Sequence, residues 1–324
     1  MQEQDAVATL YARDAERQRL WRAAIKWPMY SVAVMPVVLA AGWRLWSGES
    51  VRLIQMCSFL LAAVLLLAWE NLSNDCFDAE TGVDHIGKPH SLVALMGERR
   101  PVARLSLAAL VLGLALILLV ALRSSPSVFG LVLLCCGLGY LYQGPPFRLG
   151  YRGLGEPLCW LAFGPCATAA ALLALGPADL NGFGIPWHTA LTLGAGPALA
   201  TTLVLFCSHF PQVDEDAAHG KFSPVVRLGT RRSAALVPWI IALILALEWS
   251  PAFQGDWPFT VLLSGLGLPA GSGLIRLLRL HHNQPEKLFN SKFLALRFQI
   301  LNGLGMSLGF ALAPLLGLAH SSGL

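Results

Sequence analysis

Asn71-Leu72-Ser73-Asn74-Asp75-Cys76-Phe77-Asp78-Ala79-Glu80-Thr81-Gly82-Val83-Asp84 follows directly on an apolar run, Leu60 to Trp69, of the kind that crosses a membrane. Charge is expensive at membrane depth, so a cluster of amides and carboxylates there has a task. In a helix Asn71, Asn74 or Asp75, and Asp78 lie one turn apart and share a face. Oxygen groups at that spacing suit a hard divalent cation such as Mg2+, which takes carboxylates, water and substrate phosphates. Such a site would hold a diphosphate through the metal.

The rest of the composition supports the membrane. Of 324 residues, 55% are hydrophobic and 13% charged, roughly half the charge of a soluble domain. Many apolar runs reach the roughly 20 residues that span a bilayer core. The expected fold is an all-α polytopic membrane protein, a bundle of about nine transmembrane helices. Predicted spans cover about 28–46, 53–73, 101–122, 127–142, 157–175, 189–210, 233–249, 258–274 and 294–318. Residues 1–27 read as a basic amphipathic lead-in at the headgroups, too polar for a cleavable signal peptide. Residues 28–324 read as a single transmembrane domain with long polar loops at 74–100 and 211–232. The seven cysteines show no Cys-x-x-Cys spacing, which points to packing rather than disulfides or zinc.

Nine spans make a testable charge pattern. With the N-terminus in the cytoplasm, nearly all Lys and Arg fall on that side, and only Arg44, Arg52 and Arg123 fall opposite. That asymmetry supports both the count and the orientation. The net charge of +4 therefore reflects topology and gives no reason to expect nucleic acid.

A near-repeat emerges. Both long polar loops follow the second span of a group of four, and both open with acidic or amide residues. The second set is Ser208-His209-Phe210-Pro211-Gln212-Val213-Asp214-Glu215-Asp216-Ala217-Ala218-His219-Gly220-Lys221. Asp and Asn also favour helix ends, so one such loop alone would be ordinary. Two, symmetrically placed and each followed by cations, point to acidic patches converging on a two-cation site. A secondary transporter would also have interrupted helices and repeats, with its polar residues at the midplane. Here the acids sit at the ends of spans two and six.

Asn74-x-x-x-Asp78-x-x-x-x-x-Asp84 resembles the first aspartate-rich motif of the UbiA superfamily of intramembrane aromatic prenyltransferases. Gly82 before Asp84 is similar to the MenA-type branch, which prenylates 1,4-dihydroxy-2-naphthoate. Ala24-Ile-Lys-Trp-Pro-Met-Tyr-Ser31, Gly144-Pro-Pro-Phe-Arg-Leu-Gly-Tyr-Arg-Gly-Leu-Gly-Glu156 and Gly220-Lys-Phe-Ser-Pro-Val-Val-Arg-Leu-Gly229 agree. The flavour is that of the cyanobacterial and plastid phytyltransferases of phylloquinone synthesis, and the resemblance spans roughly residues 20 to 310. One position departs: the family's second motif is usually Asp-x-x-x-Asp, and here Gln212 precedes Asp216. Asp214 and Glu215 lie about 100 to 200° further round a helix from Gln212, so they substitute only outside regular helix.

The resemblance implies Mg2+, two ions, as cofactor, and a prenyl diphosphate (phytyl favoured) and 1,4-dihydroxy-2-naphthoate as substrates, with decarboxylation. Competing acceptors on the same fold are homogentisate, 4-hydroxybenzoate, chlorophyllide and haem. It places the protein in a cell or thylakoid membrane, with the site opening to the cytoplasm. The cation ligands it implies are Asn74, Asp78, Asp84 and Asp216, assisted by Gln212 or Asp214. Lys88, Arg148, Lys221 and Arg227 are candidates for the phosphates. Tyr142 or Tyr151 would face a carbocation with its ring. Glu70, one turn before Asn74 inside span two, is a candidate proton acceptor.

Overall fold

The computed structural model describes residues 16–81, 91–180 and 182–318. Among them no strand occurs, and nine helical segments are long and apolar enough to cross a membrane. The first such segment, Glu16–Trp46, breaks at Lys26, whose φ of 51° is left-handed, and resumes as α1 (Ser31–Trp46). Then follow α2 (Leu53–Thr81), α3 (Arg99–Ala121), α4 (Pro126–Gln143), α5 (Gly155–Leu175), α6 (Trp187–Ser208), α7 (Thr230–Gln254), α8 (Phe259–His281) and α9 (Ser291–Leu312). The all-α expectation holds, and the span count agrees.

The largest departure from the expected boundaries is α2. The second span was expected to end at about 73, with a polar loop from 74. The helix instead runs on to Thr81. Asn, Asp and Glu compete with the helical backbone through local hydrogen bonds, but here the acidic side chains are engaged elsewhere. Asp75 pairs with Lys26 and Glu80 with Arg99. Within the second expected loop, 211–232, the chain forms two short helices, Val213–Ala218 and Pro224–Leu228, before α7 begins at Thr230.

Two devices shape the interior. The first is a run of small residues on α9. A Cβ on Gly305 would lie 2.1 Å from the Leu263 carbonyl oxygen, and one on Gly309 2.3 Å from that of Thr260. Only glycine lets α9 lie against the 3-10 half of α8 (Phe259–Gly267), as membrane helices do when backbones approach closely. The second is a π-turn at Ala162–Cys166 that interrupts α5, where Gly164 and Pro165 break the regular ladder. Ala162 and Phe163 are thereby presented to the cavity described below. Outside its lining, Glu248 of α7 is buried and accepts a hydrogen bond from Asn302 Nδ2 at 2.7 Å.

Candidate functional site

The first acidic motif occupies the last turns of α2. Asn74 lines the cavity. Asp75 is turned to structural work: its Oδ1 lies 2.9 Å from Lys26 Nζ, and its Oδ2 accepts the Leu92 N–H at 3.0 Å. One buried carboxylate thus ties the N-terminal segment, α2 and the chain re-emerging at residue 91. Asp78, fully buried, accepts hydrogen bonds from Gln143 Nε2 at the end of α4 and from the Tyr151 hydroxyl at 3.3 Å. Asp84 and Lys88 lie outside the described residues.

The second motif is held differently. Asp216 sits on the short helix Val213–Ala218 and is 1% exposed. His209 Nδ1 reaches its Oδ2 at 3.2 Å, and Lys221 Nζ lies 3.4 Å from its Oδ1. Gln212 lines the cavity. Asp214 is exposed and does not line it, because regular helix carries that position away from the face shared by 212 and 216. Of the two assisting ligands expected, the structure brings only Gln212 to the cavity.

The loop between α4 and α5 joins the two motifs. The Phe222 N–H donates to the Tyr151 carbonyl at 2.8 Å. Arg227 donates to the carbonyls of Phe222 (3.0 Å) and Arg152 (3.1 Å). Arg227 was expected at the phosphates; it is exposed and fastens these two segments to each other instead. Tyr151 stands between the banks: its hydroxyl meets Asp78 and Thr81 (2.9 Å), and Lys221 Nζ and the Arg148 guanidinium lie 5.8 and 5.9 Å from its ring centroid. Burial is the main influence pushing the phenol up to about 12, with the Thr81 hydrogen bond pulling the other way. Arg148 also pairs with Glu80 at 3.2 Å.

Beside these groups lies a cavity of about 830 Å³. Its polar end carries Lys26, Asn71, Asn74, Gln143, Gln212 and Lys221. Its apolar walls include Phe59, Leu66, Leu67, Leu158 and Phe163. Tyr142 lines it with its ring packed over Gly150 and Gly155, where a Cβ would lie 2.6 and 2.5 Å away. Glu70 lines it further in, against Gly139 of α4. Gln143, Lys26 and Glu156 escaped the sequence reading as site residues. Gln143 had a signal, an amide closing an apolar span directly before Gly-Pro-Pro.

The family model for the UbiA prenyltransferase family matches residues 33–302. The chain belongs to the UbiA prenyltransferase family. It is 38% identical over 304 residues to the 2-carboxy-1,4-naphthoquinone phytyltransferase of Synechocystis, covering 92% of this chain and 95% of that one. It is 37% identical over 316 residues to the chloroplastic enzyme of the same name from Arabidopsis thaliana, covering 95% and 81%. A UbiA homolog from Archaeoglobus fulgidus bound to DMAPP and Mg2+ shares the fold, with a TM-score of 0.58 at 17% identity over 92% of this chain and 99% of that one. The protein is thus a prenyltransferase and an integral membrane protein.

This UbiA-family site offers hard oxygen donors in two separate banks. Among the described residues no three His, Cys, Asp or Glu side chains gather closely enough to cage a metal ion. That arrangement fits Mg2+, which keeps several waters and is held by one or two carboxylates plus substrate phosphates. Asp216 Oδ1, buried and facing the Lys221 ammonium at 3.4 Å without a hydrogen bond, is a donor of the required kind.

Proposed function

We propose that this UbiA-family protein transfers a prenyl group, phytyl by preference, from an allylic diphosphate to 1,4-dihydroxy-2-naphthoate with loss of the ring carboxylate, in phylloquinone or menaquinone synthesis. The observation that carries this reading is a cavity with apolar walls that is lined by Gln143, His209 and Lys221, the side chains that hold the buried carboxylates Asp78 and Asp216 of two different helices. Its volume falls within the roughly 300–1,000 Å³ typical of ligand sites. The identity to two phytyltransferases over nearly the whole chain supports this acceptor and donor class.

Asn74 and Asp78, with Asp84, would hold one Mg2+, and Asp216 with Gln212 a second; when bound, the ions neutralise the diphosphate and help it leave. Lys26, Lys221 and Arg148 meet the remaining phosphate charge. The carbon–oxygen bond of the allylic carbon breaks, and pyrophosphate departs with the bonding pair. Phe59, Leu66 and Phe163 keep water from the allylic cation, and the face of Tyr142 stabilises it. The ring carbon bearing the carboxylate attacks. Carbon dioxide then leaves, and its bonding pair restores the aromatic ring, so the step needs neither an oxidant nor a net proton.

Glu70 accepts a hydrogen bond from an acceptor hydroxyl and so raises the electron density of the ring. The phytyltransferase relatives are named for the quinone form of the same carboxylate. The dihydroxy form is the better nucleophile toward an electrophilic allylic carbon. The Lys and Arg asymmetry supports a polar end of the cavity that faces the cytoplasm.

The test supplies membranes carrying the protein with labelled phytyl, geranylgeranyl and longer diphosphates, with the dihydroxy acid or its quinone, with and without EDTA. Prenylated naphthalenediol that disappears with EDTA is expected, with phytyl diphosphate the best donor. Metal-independent turnover, or product only with homogentisate or 4-hydroxybenzoate, would overturn the reading.

A further inference from the structure

Glu156 begins α5, and the reaction outlined above does not use it. Both of its carboxylate oxygens are sealed from solvent and neither has a hydrogen-bond partner. Such a group is costly unless opposite charge faces it. The Lys221 ammonium acts on it electrostatically, and His209 faces it, with Nε2 3.6 Å from Glu156 Oε1. The same ring donates through Nδ1 to Asp216 Oδ2 at 3.2 Å. The side chains of Glu156, His209 and Asp216 are 14%, 4% and 1% exposed. One imidazole therefore links the start of α5 to the acid of the second motif.

We propose that Glu156 is a positioning residue for divalent-cation binding: through His209 it fixes the orientation of Asp216 and supplies negative charge to the bank where position 212 is a glutamine. The inference rests on Asp216 acting as a ligand of a diphosphate-bound cation. A six-residue helix is too short to hold a side chain by its own rigidity, so its orientation is set by what the side chain touches. Groups that touch a metal ligand commonly change affinity by 10–100-fold when removed; His209 is such a group, and Glu156, which acts through that one ring, falls at the low end of the range. Direct ligation by Glu156 does not fit, because the imidazole stands between the two carboxylates. A plain helix-start role, a carboxylate near the N-terminal N–H groups of α5, predicts no link to cation binding at all.

The experiment titrates Mn2+ against detergent-purified protein in the presence of inorganic pyrophosphate, with bound ion read by electron paramagnetic resonance. Glu156→Gln should weaken binding about tenfold. His209→Asn, which keeps a donor for Asp216 but cuts the link to Glu156, should weaken it similarly, and the double variant no further. Adding Gln212→Asp to Glu156→Gln should restore affinity by returning the missing charge. If Glu156→Gln does not yield monodisperse protein, His209→Asn with and without Gln212→Asp asks the same question. Unchanged Mn2+ affinity in the Glu156 variant, strictly additive losses, or no recovery with Gln212→Asp would overturn the proposal while leaving the functional reading intact. A wild-type protein that binds no Mn2+ with pyrophosphate would contradict the metal reading of Asp78 and Asp216 themselves.

Discussion

Asp78 rides on a helix of 29 residues, whereas Asp216 sits on one of six. The first acid is placed mainly by an element that crosses the membrane, and Gln143 and Tyr151 need only trim its orientation. The second is placed by side chains from elsewhere: His209, Lys221 and, behind His209, Glu156. Rigidity thus comes from the backbone on one bank and from a polar network on the other. The loop carrying Tyr151 spans both, so neither bank is independent.

The comparison can be broken most severely at the carboxylates. Asp78→Ala should lower kcat/KM by at least about 10²–10³-fold, and Asp216→Ala by a similar factor, if both banks carry diphosphate-bound cations. Full activity in either variant, measured by product formation across a Mg2+ titration, would remove that bank. The Lys26–Asp75 pair offers a different break. Its side chains are 17% and 3% exposed, and Lys26→Met leaves a buried carboxylate without its cation at a cost of about 3–5 kcal/mol. Thermal unfolding in detergent should show the loss, and Lys26→Met/Asp75→Leu should recover much of it.

Tyr151→Phe sharpens the link between banks. Removing one neutral donor to Asp78 is worth about 1 kcal/mol, or roughly fivefold in kcat/KM. The same variant has a pH signature. The folded protein holds the phenol proton up to about 12, and an unfolded chain releases it near 10. Folded-state stability should therefore fall as pH rises through that window, and the phenylalanine variant should lack that component. The smallest effect belongs to Asp214→Ala, expected within about twofold of wild type because an exposed side chain away from the cavity does little. A large rise in KM for the diphosphate in that variant would place Asp214 at the cavity after all.

Membrane architecture was legible because its signals are long and redundant: apolar runs, and the skew of Lys and Arg across them. The face shared by Asn74 and Asp78 was legible for a similar reason, since helical spacing carries it. The extension of α2 to Thr81 was not, because it depends on partners such as Lys26 and Arg99 that are remote in sequence. Arg148 and Arg227 look alike as loop cations; only their partners, Glu80 for one and two backbone carbonyls for the other, tell them apart. Glu156 and Gln143 belong to the same class. Each ends or begins an apolar span; the Gly-Pro-Pro after Gln143 marks that residue as unusual, but in neither case does the sequence say what the side chain will face.

The most direct test of the central account uses acceptor labelled in its ring carboxylate, supplied with phytyl diphosphate and Mg2+ to the purified protein. The account predicts one labelled carbon dioxide released for each prenylated naphthalenediol formed. Prenylated product that retains the label, or no product with any allylic diphosphate, would contradict it.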